Sequence, residues 1–240
     1  MEQSQQEIQK QYYSQTAKEY DALHVNAGVD AEHNFALAFM GSIIDLYGIT
    51  SVLDIGAGTG RAISYLKVKY PNLKVVGIEP VRELREIGYS KGISPEMLIE
   101  GDGTDIKYSA GSFDLVCEFG VLHYVSWPEK MVGEMLRVAK TGIFISDSNN
   151  FGQGSKMARS LKQCINLLGL WRMYDYVRTK GKGYQISAGD GLFYSYSVFN
   201  NYNQIKKDCK GGVHILNTTN SAGIDPYSSA SHVALLGIKN

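Results

Sequence analysis

Between Val52 and Gly60 the chain reads VLDIGAGTG, a buried-strand pattern that ends in an acid and runs into three glycines spaced two apart. A continuous apolar run of this length suits a strand covered on both faces. Glycines placed directly after it supply backbone angles that other residues avoid, and they let a ligand approach the main chain closely. A strand-to-helix turn of this kind commits the surrounding chain to an α/β architecture, with a ligand site at the carboxyl ends of the strands.

The neighbouring sequence continues that rhythm from about residue 51 to 148. SVLDIG is followed by RAISYLKVKY, with Ile63, Leu66 and Tyr70 on one helical face and Pro71 as a stop. KVVGIE predicts the next strand, and VRELREIGYSKG predicts a helix with Gly92 near its end. EMLIEGD, FDLVCEFG and GIFISDS predict three more strands, and the spacing of Ser126 and Glu129 predicts a capping box before a helix carrying Met131, Val132, Met135 and Leu136. The alternation predicts a doubly wound, mostly parallel, Rossmann-like sheet. Two closing strands, GGVHILNTT and SHVALLGIK, bring the sheet to seven.

The flanks break the rhythm and divide the expected single domain. Residues 1–40 predict a helical lid with Tyr12, Tyr13 and Tyr20, residues 41–150 the binding core, 151–196 a cap after the fifth strand, and 197–240 a closing helix and strands. At 240 residues the chain buries enough surface to need no staples. Lys+Arg and Asp+Glu number 24 each, so no global charge points to nucleic acid or an acidic membrane. Cys117, Cys164 and Cys209 are scattered, with no CxxC pair, and the polar N-terminus lacks a signal-peptide core. These features predict a cytoplasmic protein with no membrane insertion and no metal centre, acting on a small molecule; they leave the oligomeric state open.

Two acids complete the glycine turn. Glu79 ends the second predicted strand, where a carboxylate can accept from ribose hydroxyls, and Asp102 ends the third, within reach of an adenine amino group. No Lys or Ser follows the glycines in P-loop fashion, and Asp54 suits a cationic amino group better than a pyrophosphate. The stretches VLDIGAGTGR, VVGIEP, EGDGTDIKYSAGSFDLVCEFGVLHYV and MLRVAKTGIFI resemble the class I S-adenosylmethionine-dependent methyltransferases of the type 11 group, and YYSQTAKEYD resembles their lid helix. The resemblance implies S-adenosyl-L-methionine as cofactor. It places Asp54, Gly56 and Gly58 under the methionine part with Gly60 completing the turn, Glu79 at the ribose, Asp102 at the adenine amino group and Phe119 near the sulfur, with Pro80, Gly103 and Thr104 also among the cofactor-binding residues. Thr141-Gly142 stands where the family often has Pro-Gly-Gly.

Candidate chemistry follows from position. His123 comes after the fourth strand with an ordinary pKa suited to base work, and the opposing reading is a histidine packed beneath the lid. Tyr20 is expected on the cofactor and His24 at the pocket mouth. Asp147 and Asn149 are expected at the acceptor, with Asp190 and Tyr194 of GDGLFYSYS beside them. His33, His214 and His232 read as structural or solvated. The predicted activity is methyl transfer to a small acceptor, most simply a hydroxyl, with a sugar or glycan precursor suggested by the aromatic and basic cap. N- or C-methylation, a nicotinamide-dependent oxidoreductase and a non-catalytic nucleotide-binding module are the alternatives.

Overall fold

A computed structural model describes residues 4–25, 31–187, 189–219 and 223–239 of the chain. The N-terminal segment forms α1 (Gln5–Thr16), a 3-10 turn and α2 (Tyr20–His24). Then follow α3 (Ala31–Tyr47), β1 (Ser51–Ile55), α4 (Arg61–Lys69), β2 (Lys74–Ile78), α5 (Arg82–Ser90), β3 (Leu98–Ile99), β4 (Phe113–Phe119), α6 (Pro128–Val138) and β5 (Ala139–Ser148). Beyond β5 lie α7 (Lys156–Leu167), α8 (Trp171–Arg178), the hairpin strands β6 (Gln185–Ser187) and β7 (Gly191–Phe193), α9 (Tyr202–Asp208), β8 (Gly212–Asn217), α10 (Pro226–Ser229) and β9 (His232–Ile238).

Seven strands form one sheet in the order β3-β2-β1-β4-β5-β9-β8. All pairs are parallel except those of β9, which runs antiparallel between β5 and β8. The strand order reverses between β1 and β4, and a crevice opens there at the strand ends. The seven-stranded, mostly parallel sheet expected from the sequence is therefore present.

Both faces of the sheet are covered. Met131, Val132, Met135 and Leu136 of α6 pack with Leu53, Val116 and Ile143 on one side. On the other, Ala36, Leu37, Met40, Ile43 and Ile44 of α3 join Ile63 and Leu66 of α4 against Val52, Leu115 and Phe144. The expected lid boundary at residue 40 thus falls inside one continuous helix whose apolar stripe belongs to the core. The segment that lies over the strand ends is α1 to α2.

Two further readings change in detail. Ser126 does not cap α6: the helix starts at Pro128, with Trp127 at the cap position and no side-chain cap. Proline fixes φ and lacks an N–H, which suits the first helical position and moves the start past the predicted box. The cap contains a helix, α8 (Trp171–Arg178), that its aromatic and basic composition does not suggest. Ser197 caps a 3-10 turn, Val198–Asn201, that leads into α9, the closing helix expected after the cap.

Candidate functional site

Gly56, Gly58 and Gly60 have φ of +65°, +55° and +84°, the left-handed region that favours glycine. Their turn hands the chain to α4 and is tied down by its own amides: Gly56 N and Ala57 N donate to Ile78 O at 2.9 and 3.1 Å, and Gly60 N to Ala57 O at 2.8 Å. Glu79 organises it: one carboxylate oxygen accepts from Gly58 N at 3.0 Å and the other from Val81 N at 2.9 Å. Burial is the main reason its carboxyl is raised above the usual range, although these two amides pull it down. Asp102 turns back on its own loop and accepts from Thr104 N at 2.8 Å and Thr104 Oγ1 at 2.9 Å.

A cavity at this crevice is lined by Gly56, Glu79, Pro80, Asp102, Gly103, Thr104, Phe119 and Tyr20, together with Gln9 and Tyr13 of α1. Eight of the expected cofactor residues therefore converge. Asp54 faces a small adjoining recess with Tyr20, Ala57, Arg61 and Phe119. It is buried, and Cys117 Sγ lies 3.8 Å from its Oδ1. Burial pushes its carboxyl up to about 8, with the nearby Glu79 adding to the effect. A buried acid in that state fits a cationic ligand group, which would restore its charge.

Gly58 and Gly60 play other parts. The Tyr20 hydroxyl lies over Gly58, where an added Cβ would approach it to 2.7 Å. Gly60 does not line the cavity: it caps α4, and Ile93 packs where a Cβ would stand. It completes the turn, as expected, without lining the crevice.

The segment α1 to α2 closes over the crevice. Asp21 pairs with Lys91 and accepts from Thr59 Oγ1 at 2.6 Å, while Ser14 Oγ donates to Glu83 at 2.7 Å. Gln9 reaches the cap hairpin, donating to Asp190 O at 2.9 Å and accepting from Leu192 N at 2.6 Å. Tyr13 stands edge-on to both Tyr20 and Tyr124, at 5.7 and 5.8 Å between ring centroids.

Those aromatic rings separate the first cavity from a second of about 440 Å³, lined by His24, His33, Arg61, Phe119, His123, Tyr124, Gln153, Asp190 and His232. Phe119 touches both. His123 is held firmly here: its Nδ1 lies 2.7 Å from Asp147 Oδ1, and Asp147 Oδ2 accepts from Leu122 N at 2.8 Å. Burial alone would lower His123, but the charge and hydrogen bond of Asp147 outweigh it and raise the ring above its ordinary value. Burial would likewise raise Asp147, yet the charge and hydrogen bond of His123 bring it below the usual carboxylate range. Glu118, buried beside them, is pushed well up by burial and by the negative charge of Asp147.

Asp147 is therefore committed to His123 and to backbone amides, and it does not line either cavity as an acceptor contact. Asn149 is buried away from both. Its side-chain amide donates to Ala230 O at 2.8 Å and Tyr227 O at 2.9 Å, and its oxygen accepts from Ser197 Oγ at 2.8 Å. It ties β5 to the 226–230 turn, which corrects its placement at the acceptor.

His33 and His232, read from the sequence as structural or solvated, line the second cavity. Their rings meet at right angles, 4.5 Å between centroids. Burial draws His232 down to about 4, and burial with the neighbouring His232 draws His33 well below its usual value, so both stand neutral. His232 Nδ1 pairs with Thr218 Oγ1 at 2.6 Å, and its buried Nε2 has no hydrogen-bond partner. Register carries the signal the sequence reading missed: β9 opens opposite Ser148, at the carboxyl end of β5. Among the described residues no three His, Cys, Asp or Glu are grouped as metal ligands.

A third cavity of about 390 Å³ continues into the cap, sharing His123, Ser148, Gln153 and Asp190 with the second. Lys162, Trp171, Arg178 and Tyr194 line it, as does Asn150, whose buried Oδ1 has no partner. Tyr194 also joins the elements around it, donating its backbone N–H to His123 O at 2.8 Å and its hydroxyl to Gln5.

Comparison with known proteins agrees with this geometry. Residues 53–146 match the family model described as a methyltransferase domain. Ajmaline N-methyltransferase of Rauvolfia serpentina is 30% identical over 99 residues, covering 40% of this chain and 34% of that protein. Flavonoid 3'-O-methyltransferase 3 of Mentha piperita is 25% identical over 111 residues, covering 45% and 28%. The chain thus aligns with about a third of the length of these curated relatives. In fold it is similar to magnesium protoporphyrin IX methyltransferase of Synechocystis PCC 6803, solved with bound S-adenosylhomocysteine. The TM-score there is 0.60 at 11% identity, over 98% of this chain and 100% of that one. By the domain matched over residues 53–146, the strand order and the glycine turn with its acids, the chain carries a methyltransferase domain of the class I, S-adenosylmethionine-dependent fold.

Proposed function

We propose that the protein methylates a hydroxyl of a small acceptor, using S-adenosylmethionine held at the glycine turn. The observation that carries this reading is the His123–Asp147 pair at the wall of the cavity that adjoins the cofactor crevice. The cofactor, when bound, supplies a methyl group already activated by its positive sulfur. Asp54 would meet its cationic end, Glu79 its ribose and the Asp102 loop its adenine. The chain then has two tasks, to hold the acceptor in line and to take its proton.

An amine attacks without help once neutral, whereas a hydroxyl gains from a base in the transition state. With Nδ1–H donated to Asp147, His123 keeps the Nε2 lone pair for that proton. The relatives include both an N- and an O-methyltransferase, and the buried pair favours the oxygen. The nicotinamide-dependent reading finds no support, because the matched family and these relatives are methyltransferases. Tyr13, Tyr20 and Tyr124 exclude water from the junction, and the α1–α2 segment acts as a lid that opens for exchange.

The chamber beyond His123 suits the rest of the acceptor. Lys162 is lowered by burial and by the charges of Arg178 and Arg159, so an anionic group there would relieve it. Trp171 offers an apolar face and Asn150 an unused acceptor oxygen. Together they favour a sugar or similar polyol carrying phosphate or carboxylate. The protein would work in the cytoplasm, where its three unpaired cysteines stay reduced.

Calorimetry tests the cofactor first. S-adenosylhomocysteine should bind and NADH should not, and the reverse would overturn the reading. Glu79→Ala should weaken S-adenosylhomocysteine by about 1–3 kcal/mol, the scale for lost hydrogen bonds to a charged group. Its melting temperature should fall as well, because the amides of Gly58 and Val81 lose their acceptor. A folded variant with unchanged affinity would remove Glu79 from the ribose.

A further inference from the structure

The cap helix α7 is built inside out. On α7 the inward residues are polar and hold backbone oxygens: Gln163 donates to Phe151 O at 3.0 Å and Ser228 O at 3.2 Å, Arg159 to Ser229 O at 3.3 Å, and Lys162 to Asn150 O. The outward stripe is apolar. Met157, Leu161 and Leu168 follow helical spacing along it, and α8 continues the patch with Met173 and Val177, with Ile186 of β6 beyond. Met157 is 84% exposed, Leu161 59% and Val177 71%. Scattered surface leucines need no explanation, but exposed apolar side chains at helical spacing on two helices packed against each other mark a binding face.

Charge identifies what covers it. Residues 151–196 contain seven Lys and Arg against two Asp, whereas the rest of the chain has 17 basic and 22 acidic residues. A neutral protein is therefore polarised, with its positive end around the apolar patch. Lys156, Arg172, Lys180 and Lys182 are exposed there. A second copy meeting this face would bring two positive surfaces together. An apolar stripe bordered by Lys and Arg instead matches helices that lie in the headgroup layer of a membrane. Among the described residues no helix is long and apolar enough to cross one.

We infer that α7 and α8 dock the protein on an anionic lipid surface, with their apolar face in the headgroup layer. The same two helices carry Lys162, Trp171 and Arg178 on the cavity side, so a docked cap would hold the outer acceptor chamber close to the membrane.

Co-sedimentation with vesicles tests this on the full chain. The protein should pellet with mixed phosphatidylcholine and phosphatidylserine vesicles, less so with phosphatidylcholine alone, and less as salt is raised. Leu161→Glu with Val177→Glu should weaken the association about tenfold or more, since both side chains leave the lipid layer. Lys180→Glu and Lys182→Glu should each weaken it about fivefold and only where phosphatidylserine is present. Far-UV circular dichroism and melting temperature confirm that these surface variants fold. Equal pelleting with both vesicle types, or none with either, would overturn the inference. So would a dimer in sedimentation velocity that Leu161→Glu dissociates, which would assign the face to a second copy.

Discussion

His123→Ala lowers turnover about 10²–10⁴-fold, the usual contribution of a positioned general base, and leaves affinity for S-adenosylhomocysteine nearly unchanged. The separation follows from placement: His123 lines the second and third cavities and is absent from the cofactor crevice. The pH profile adds a second readout. His123 must be neutral to accept a proton, so the rate should rise with pH through an inflection above the ordinary histidine value, because Asp147 raises the ring. Asp147→Asn removes that charge and leaves burial opposed only by the smaller effect of Asp190, so the inflection should move toward acid while turnover falls. A histidine serving only to pack would lower stability without moving the inflection. A stable His123→Ala variant that retains most of its turnover would leave positioning alone as the source of rate.

Local signals fixed much of the fold. The glycines after β1, the buried runs of β2, β4 and β5, and the apolar face of α6 each report on contacts a few residues away. They give the sheet, and they bring eight of the residues expected at the cofactor into the lining of one crevice. Asp147 and Asn149 were placed correctly at the end of β5, but their partners come from elsewhere in the chain. The Leu122–His123 turn takes Asp147, and the 226–230 turn takes Asn149. Position at a strand end says that a polar residue is near the site and not which way its hydrogen bonds run. His232 shows the same limit, since its entry into the cavity depends on β9 inserting antiparallel beside β5. The inverted amphipathicity of α7 was also hidden, because periodicity gives an apolar face without saying that it points outward.

Cofactor binding should be coupled to the ionisation of Asp54. Burial raises this carboxyl to about 8, so at pH 7 it is mostly protonated. A bound amino group favours the charged form and lowers that pKa, and the proton must leave. Calorimetry at pH 7 in buffers of different ionisation enthalpy should therefore show release approaching one proton per S-adenosylhomocysteine bound. Affinity should strengthen as pH rises toward 8 and then level off, because above that value Asp54 is already ionised in the free protein. Glu79 is also raised by burial and lies in the same crevice, so the two acids are separated by substitution. Asp54→Asn should abolish most of the proton release, and Glu79→Gln should retain it. Asp54→Ala should weaken binding by about 2–5 kcal/mol, the cost of removing one partner of a buried charge pair, or roughly 30- to 5,000-fold in Kd. Unchanged proton release in Asp54→Asn would move the linked ionisation to Glu79 and leave Asp54 as a buried neutral acid that supports the turn.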